Sequence, residues 1–84
     1  MSSNHLTFAA LRRLLLKLDF VEKEIPGSHI VFEHTPSEAV FIFRPYRPQD
    51  RVAEYDVIDV RKQLDWRGVL DAAVFDNLLR KASA

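Results

Sequence analysis

The spacing of the apolar residues changes near residue 19, and this change restricts the possible folds more than any other feature. Before it, four leucines recur at i, i+3, i+4 and i+7, which is one face of a helix: Leu11, Leu14, Leu15 and Leu18. After it, from Phe20 to Arg44, β-branched and aromatic residues follow a period of two, which is typical of strands. We therefore predict a helix over residues 7–18, ended by Asp19 in the left-handed conformation, and strands from Phe20 onward.

Two turn signals, Pro26-Gly27 and the segment 35–38, divide the region 20–44 into a three-stranded antiparallel meander. If residues 35–38 form a four-residue loop, the pairing of the last two strands follows by counting back from the loop. The expected pairs are His34 with Ala39, Phe32 with Phe41, Ile30 with Phe43, and His29 with Arg44. We expect one face of this sheet to cover the core beneath the helix, and its residues are Ile30, Phe32, Phe41 and Phe43.

The first strand is expected to contribute to the same core face. Alternate residues of a strand face opposite sides of the sheet, and a shift of one residue would invert the whole strand. If Val21 and Ile25 face the core, the glutamates between them therefore face the side that carries His29, and one of them lies beside it. The sequence leaves open whether this glutamate is Glu22 or Glu24.

The opposite face of the sheet has an aliphatic centre formed by Val31, Val40 and Ile42. In so small a domain, these side chains are candidates for an interface. The interface would be covered by a second copy of the chain, as in a homodimer, or by a partner protein.

Residues 52–82 predict one or two C-terminal helices, since apolar residues recur at helical spacing and Asp71 can cap a short final helix. Trp66 is expected to close the core between these helices, with a partner contact as the alternative. Residues 1–6 are expected to fray. The 84 residues then form a single α+β domain: a helix, three antiparallel strands, and one or two helices on the same face of the sheet.

The composition excludes several classes of chemistry. Twelve basic and twelve acidic residues give no net charge, so any nucleic-acid binding must use a local patch. The absence of cysteine and the presence of only two glycines exclude thiolate metal sites, cysteine nucleophiles and phosphate-binding glycine loops. We expect no metal or cofactor, no membrane span, and a cytoplasmic location.

His29 is the residue with the clearest chemical potential. It follows a turn at the start of a strand, where we expect a carboxylate on one side and Arg44 on the other. Histidine exchanges protons at neutral pH, so it can deprotonate an RNA 2′-hydroxyl group, while Arg44 or Lys23 stabilises the charge on the phosphorane. The alternative is a histidine that merely occupies a half-exposed strand.

The segment 44–51 contains three arginines and one tyrosine and is locally basic. Arg44 and Arg47 can contact phosphates, and Tyr46 can offer a stacking surface to an unpaired base. Ser28, in the turn before His29, is a further candidate for nucleic-acid contact. A solvated loop is the alternative, because Asp50 and the acidic residues that follow reduce the local potential.

The segment Gly27-Ser28-His29-Ile30-Val31-Phe32-Glu33-His34, approached through Leu14-Leu15-Leu16-Lys17-Leu18-Asp19-Phe20, resembles HicA-type toxins, the mRNA interferases of toxin-antitoxin pairs. The resemblance covers about residues 10–44. It implies a fold like the double-stranded-RNA-binding domain, metal-independent endonucleolytic cleavage of mRNA, and neutralisation by a HicB-like antitoxin. The family's catalytic histidine corresponds to His29.

The sequence departs from the family pattern at two places. Asp19 stands where these toxins usually have glycine, and the segment after the third strand differs from the one that opens their second helix. A non-catalytic relative that binds protein or RNA through the second sheet face is therefore the alternative function.

Overall fold

The computed structural model of the chain describes residues 6–25 and 29–83, and its elements confirm the α+β class. A helix is followed by a three-stranded antiparallel sheet, in which each strand pairs with the next strand along the chain, and then by two more helices. The elements are α1 (Phe8–Lys17), β1 (Val21–Ile25), β2 (His29–His34), a 3-10 turn (Thr35–Ser37), β3 (Ala39–Phe43), α2 (Glu54–Trp66) and α3 (Ala72–Ser83).

Local side-chain and backbone hydrogen bonds determine where α1 begins and ends. The Thr7 hydroxyl accepts a hydrogen bond from the Ala10 N–H at 3.2 Å, which satisfies one free donor of the first turn. Asp19 has φ 71°, and the N–H groups of Asp19 and Phe20 donate to Leu16 and Leu15 at 3.1 and 3.0 Å. This is a Schellman motif, and the predicted left-handed end at Asp19 is confirmed.

The end of α2 repeats this geometry with glycine. Gly68 has φ 72°, and the N–H groups of Gly68 and Val69 donate to the carbonyls of Asp65 and Leu64 at 3.1 and 2.9 Å. The α3 helix then begins as predicted, because the Asp71 carboxylate accepts a hydrogen bond from the Ala73 N–H at 2.8 Å.

The predicted register of β2 against β3 is confirmed by the pairs Ile30–Phe43, Phe32–Phe41 and His34–Ala39. The ladder ends at Ile30–Phe43, so the further pair expected between His29 and Arg44 is not formed. These two residues lie immediately beyond the last pair, at the same end of the sheet.

The predicted orientation of β1 is wrong. Val21 pairs with Glu33 and Lys23 with Val31, so both lie on the face away from the helices, while Glu22 and Glu24 alternate onto the other face. Phe20, just before the strand, is buried and fills the core position that we expected Val21 to fill. Glu22 is accommodated beneath α1 because Arg12 forms an ion pair with it at 2.6 Å.

All three helices cover the same face of the sheet, since they share one buried cluster with the phenylalanines of β2 and β3. Its most deeply buried members are Leu11, Leu15, Phe32, Val52, Val60, Leu64 and Phe75. Leu6 also belongs to this cluster, although we expected it in a frayed end. Residues 1–5 lie outside the described part of the chain.

The expectation that Trp66 closes the core is wrong, because its side chain is 78% exposed. The buried face of α2 is formed by Val57, Val60 and Leu64, and position 66 falls on the opposite side of the helix. Phe75, from α3, supplies the aromatic ring that packs into the core there.

The α2 helix runs antiparallel to β3 and is joined to both ends of that strand. Near its start, the Tyr55 hydroxyl accepts a hydrogen bond from Arg44 at 2.8 Å, and near its end Arg67 donates to the Ser37 carbonyl at 2.9 Å. No helix among the described residues has the length and apolar character needed to cross a membrane.

Candidate functional site

The face of the sheet away from the helices, called the open face here, carries Val21, Lys23, His29, Val31, Glu33, Val40 and Ile42. The helices that form the core lie on the other side, so these side chains are not part of the main buried cluster. The open face is therefore the surface on which most of the predicted site residues meet.

His29 is the first residue of β2, and its side chain is exposed. It pairs with Ile25, so the glutamate expected beside it is absent from that position, and Glu24 alternates onto the opposite face. With the described residues, the His29 imidazole makes no hydrogen bond or ion pair. Ser28 lies outside the described residues.

Lys23 lies diagonally across from His29 on the open face, because it pairs with Val31. Its ammonium group forms an ion pair with Glu33 at 2.9 Å, which directs the charge along the sheet away from His29. A phosphate bound near His29 would therefore compete with Glu33 for Lys23.

Arg44 lies at the same end of the sheet as His29, beyond the last residue of β3. Its guanidinium group donates to Tyr55 and lies 5.1 Å from the centre of the Tyr46 ring and 5.9 Å from that of Tyr55. No described carboxylate forms an ion pair with Arg44, so its charge is oriented by two phenols without being neutralised.

Tyr46 has a packing role in the structure. Its hydroxyl donates to the Asp56 carboxylate at 2.7 Å and accepts from the Ala53 N–H at 2.9 Å, and its ring stacks on Phe8 at 5.2 Å. Burial, followed by the hydrogen bond to Asp56, raises the pKa of Tyr46 above its ordinary value. The ring thus joins the basic loop to α1 and α2, and its use as a stacking surface for RNA remains a prediction.

The basic loop 44–51 folds against the start of α1. The carbonyl groups of Pro48 and Asp50 accept hydrogen bonds from the N–H groups of Ala9 and Phe8 at 2.9 and 2.8 Å, respectively. Arg47 is exposed but forms an ion pair with Asp50 at 3.4 Å. The loop therefore contributes less free positive charge than its sequence indicates.

The two described histidines of the motif lie on opposite faces, as their odd spacing predicts. His34 stacks on Phe20, with 4.9 Å between ring centres, and its Nδ1 is 2.7 Å from the Ser37 hydroxyl. His34 thereby stabilises the turn between β2 and β3. Within the described part of the chain, no three histidine, aspartate or glutamate side chains are grouped so as to hold a metal ion.

The aliphatic centre of the open face is exposed at its margins. Val21, Val40 and Ile42 are 56%, 52% and 62% exposed, whereas Val31 between them is only 5% exposed. Val31 is therefore buried although it lies outside the main core cluster. Such an apolar patch on a small domain is typical of an interaction surface.

A second exposed apolar surface, which sequence reasoning missed, lies on the outer side of α2. It consists of Tyr55, Ile58 and Trp66. Their separations of three and eight residues place them on one side of a helix, opposite Val57, Val60 and Leu64. This periodicity was the available signal, but two apolar stripes on one helix do not reveal which of them is buried.

Comparison with known proteins gives no relative: no family model, curated protein or solved structure matches the chain.

Proposed function

We propose that the chain is a HicA-like RNA-binding endoribonuclease, the toxin of a toxin-antitoxin pair, which cleaves mRNA in the cytoplasm without a metal. His29 acts as general acid or base, and a HicB-like antitoxin binds the protein to inhibit it. The observation that carries the proposal is the exposure of His29 at the end of the sheet where Arg44 presents a charge that no described carboxylate neutralises.

In the proposed reaction, the His29 imidazole removes the proton from an RNA 2′-hydroxyl group, and that oxygen attacks the adjacent phosphorus. The bond to the 5′-oxygen breaks, and that oxygen takes a proton from the imidazolium or from water. The products are a 2′,3′-cyclic phosphate and a 5′-hydroxyl. Arg44 stabilises the charge that develops on the phosphorane oxygens, as oriented cations do in phosphoryl transfer.

The arrangement of charge supports a modest affinity for RNA. Lys23 is partly neutralised by Glu33 and Arg47 by Asp50, which leaves Arg44 as the main cation of the proposed site. Because each phosphate contact contributes to the salt dependence of binding, few free cations imply a shallow dependence on salt concentration.

The decisive variant is His29→Ala, because an exposed side chain at a strand end contributes little packing. We expect the rate of cleavage to fall by about 10²- to 10⁴-fold, the usual contribution of a general acid or base. The assay measures single-turnover cleavage of labelled mRNA in the presence of EDTA, and the fragments should end in 2′,3′-cyclic phosphates.

His34→Gln is the matched control, since it removes the other described histidine, which holds the β2–β3 turn. This variant should be less stable to denaturant and should still cut RNA. Equal cleavage by His29→Ala and the parent protein would eliminate the catalytic proposal.

A non-catalytic interaction module is the second candidate function, and the exposure of Val21, Val40 and Ile42 favours it. This candidate predicts binding to a protein partner through the open face, and no RNA turnover at any protein concentration. Ile42→Lys should then weaken partner binding, because a charge would have to be buried in the interface.

A further inference from the structure

The two edges of the sheet differ sharply in their protection against pairing with another chain. The β1 edge, Val-Glu-Lys-Glu-Ile, carries three charged residues, whereas the β3 edge, Ala-Val-Phe-Ile-Phe, carries none. Proteins that remain monomeric usually place charges or prolines on their edge strands, because an unpaired apolar edge recruits other strands. The β1 edge has this protection, and the β3 edge lacks it.

Within the described part of the chain, the peptide groups on the outer side of β3 have no backbone partner. Among residues 6–25 and 29–83, backbone hydrogen bonds join β3 to β2 and to no other element. The contacts between Arg44 and Tyr55 and between Arg67 and Ser37 tie α2 to the ends of the strand but use none of the peptide groups of Ala39–Phe43. Apart from the Ala39 N–H, which donates to the Ser37 Oγ at 3.2 Å, the outward-facing donors and acceptors of this edge have no hydrogen-bond partner among the described residues, so an added strand can bond to them.

The side chains of β3 make this edge complementary to itself. Two-fold antiparallel pairing about Phe41 would place Val40 of one copy beside Ile42 of the other, and Ile42 beside Val40. Cross-strand pairs of β-branched residues are favourable, and no like charges meet. An interface in which both copies use the same patch is the usual arrangement in homodimers.

We propose that β3 pairs antiparallel with β3 of a second copy of this chain, about a two-fold axis at Phe41. The two sheets then form one continuous six-stranded sheet, and the exposed aliphatic side chains of the two β3 strands adjoin on its open face. The interface protects the one uncharged edge of the domain and does not depend on whether the protein cleaves RNA.

Val21 distinguishes this arrangement from packing of two open faces against each other. It lies on the same face as Ile42 and is about equally exposed, but it belongs to the opposite edge. A lysine at position 21 would disrupt packing between faces and would leave pairing between β3 edges unaffected.

The test compares two double variants by sedimentation equilibrium over a range of protein concentrations. In Val40→Lys/Ile42→Lys, the proposed register places new lysines of the two copies side by side, and dimerisation should weaken roughly ten- to thirtyfold relative to the parent. In Val40→Lys/Ile42→Glu, the same register places each new lysine beside the new glutamate of the other copy, so dimerisation should be largely retained. Val21→Lys is the control and should dimerise like the parent.

Hydrogen exchange gives a second measurement that surface charge alone would not alter. Raising the concentration of the parent should slow exchange at outward-facing amides of β3 and leave β1 unchanged. A parent that stays monomeric at millimolar concentration would overturn the proposal. Equal weakening by Val21→Lys, equal behaviour of the two double variants, or association only with a different protein would also overturn it.

Discussion

Tyr46 joins three parts of the molecule through one ring and one hydroxyl group. The ring packs on Phe8 of α1, and the hydroxyl bonds to Asp56 and Ala53 at the start of α2. The sequence shows a tyrosine between prolines and arginines, which indicated an available stacking surface. Its partners could not be predicted, because spacings of seven and ten residues across a loop correspond to no regular period.

Replacing Tyr46 by phenylalanine should destabilise the fold by about 1 to 2 kcal/mol at pH 7, because the Ala53 N–H loses its acceptor. The pKa of Tyr46 is raised in the folded state, so the stabilisation by its neutral hydroxyl is fully present below its unfolded pKa of about 10. The stabilisation is lost as the pH rises through the folded pKa. Urea unfolding at pH 7 and at several values above pH 10 should therefore show the difference between Tyr46→Phe and the parent shrinking.

Tyr55→Phe is the matched control, since Tyr55 is exposed and, among the described residues, its hydroxyl accepts a hydrogen bond only from Arg44. Its effect at pH 7 should be smaller than that of Tyr46→Phe. An equal loss in the two variants would show that the hydrogen bonds of Tyr46 do not stabilise the fold.

At the scale of elements, α1 and α2 end in the same hydrogen-bonded geometry but with different residues in the left-handed position. Asp19 and Gly68 have φ values of 71° and 72°. A side chain in this region is disfavoured by its own backbone, and beyond Gly68 and its two chain neighbours no atom of the described residues lies within 4 Å of a β-carbon built at Gly68. Substitutions at both positions therefore measure the free-energy cost of a side chain in the left-handed conformation. At Gly68 this cost is free of a packing contribution.

We expect Gly68→Ala to destabilise the protein by about 1 kcal/mol. Asp19→Gly should stabilise it by roughly 0.5 kcal/mol, because the relief of strain is partly offset by the greater freedom of glycine in the unfolded chain. Urea titration of both variants and the parent measures these differences. Unchanged stability in Gly68→Ala would show that the helix end relaxes instead of holding the left-handed residue.

Elements that depend on local chemistry were predictable, and those that depend on distant contacts were not. The end of α1 follows from one residue, and the β2–β3 register follows from the length of one loop. The orientation of β1 depends on Phe20 entering the core and on Arg12 reaching Glu22, ten residues away. The alternation Val-Glu-Lys-Glu-Ile is compatible with either face, so it could not decide between them.

The same division applies to the candidate site. The exposure of His29 and its separation from His34 were predictable from strand alternation. The pairing of Lys23 with Glu33 and the contact of Arg44 with Tyr55 join separate elements, so counting along the chain did not reveal them.

At the scale of the whole molecule, Phe75 attaches the last helix to the core, while Trp66 lies outside it. Phe75→Ala should destabilise the fold by about 3 to 5 kcal/mol, a large part of the stability of so small a domain. Trp66→Ala should change stability by less than about 0.5 kcal/mol. Chemical denaturation followed by circular dichroism measures both.

Trp66 is the only tryptophan in the chain, so the tryptophan fluorescence of the protein reports on the solvent exposure of this one side chain. The emission wavelength of the folded parent should resemble that of the unfolded chain. A strong blue shift in the monomer, or a large loss of stability in Trp66→Ala, would contradict the exposed position.

The left-handed aspartate that closes α1 also has a consequence for the evolution of this chain. Both aspartate codons, GAU and GAC, become glycine codons through a single base substitution. A single mutation would therefore give a more stable helix end. Natural sequences commonly keep such slightly destabilising residues, because selection removes only variants that fall below the stability needed for function. Homologous genes from hosts that grow at higher temperature are where we expect glycine at this position.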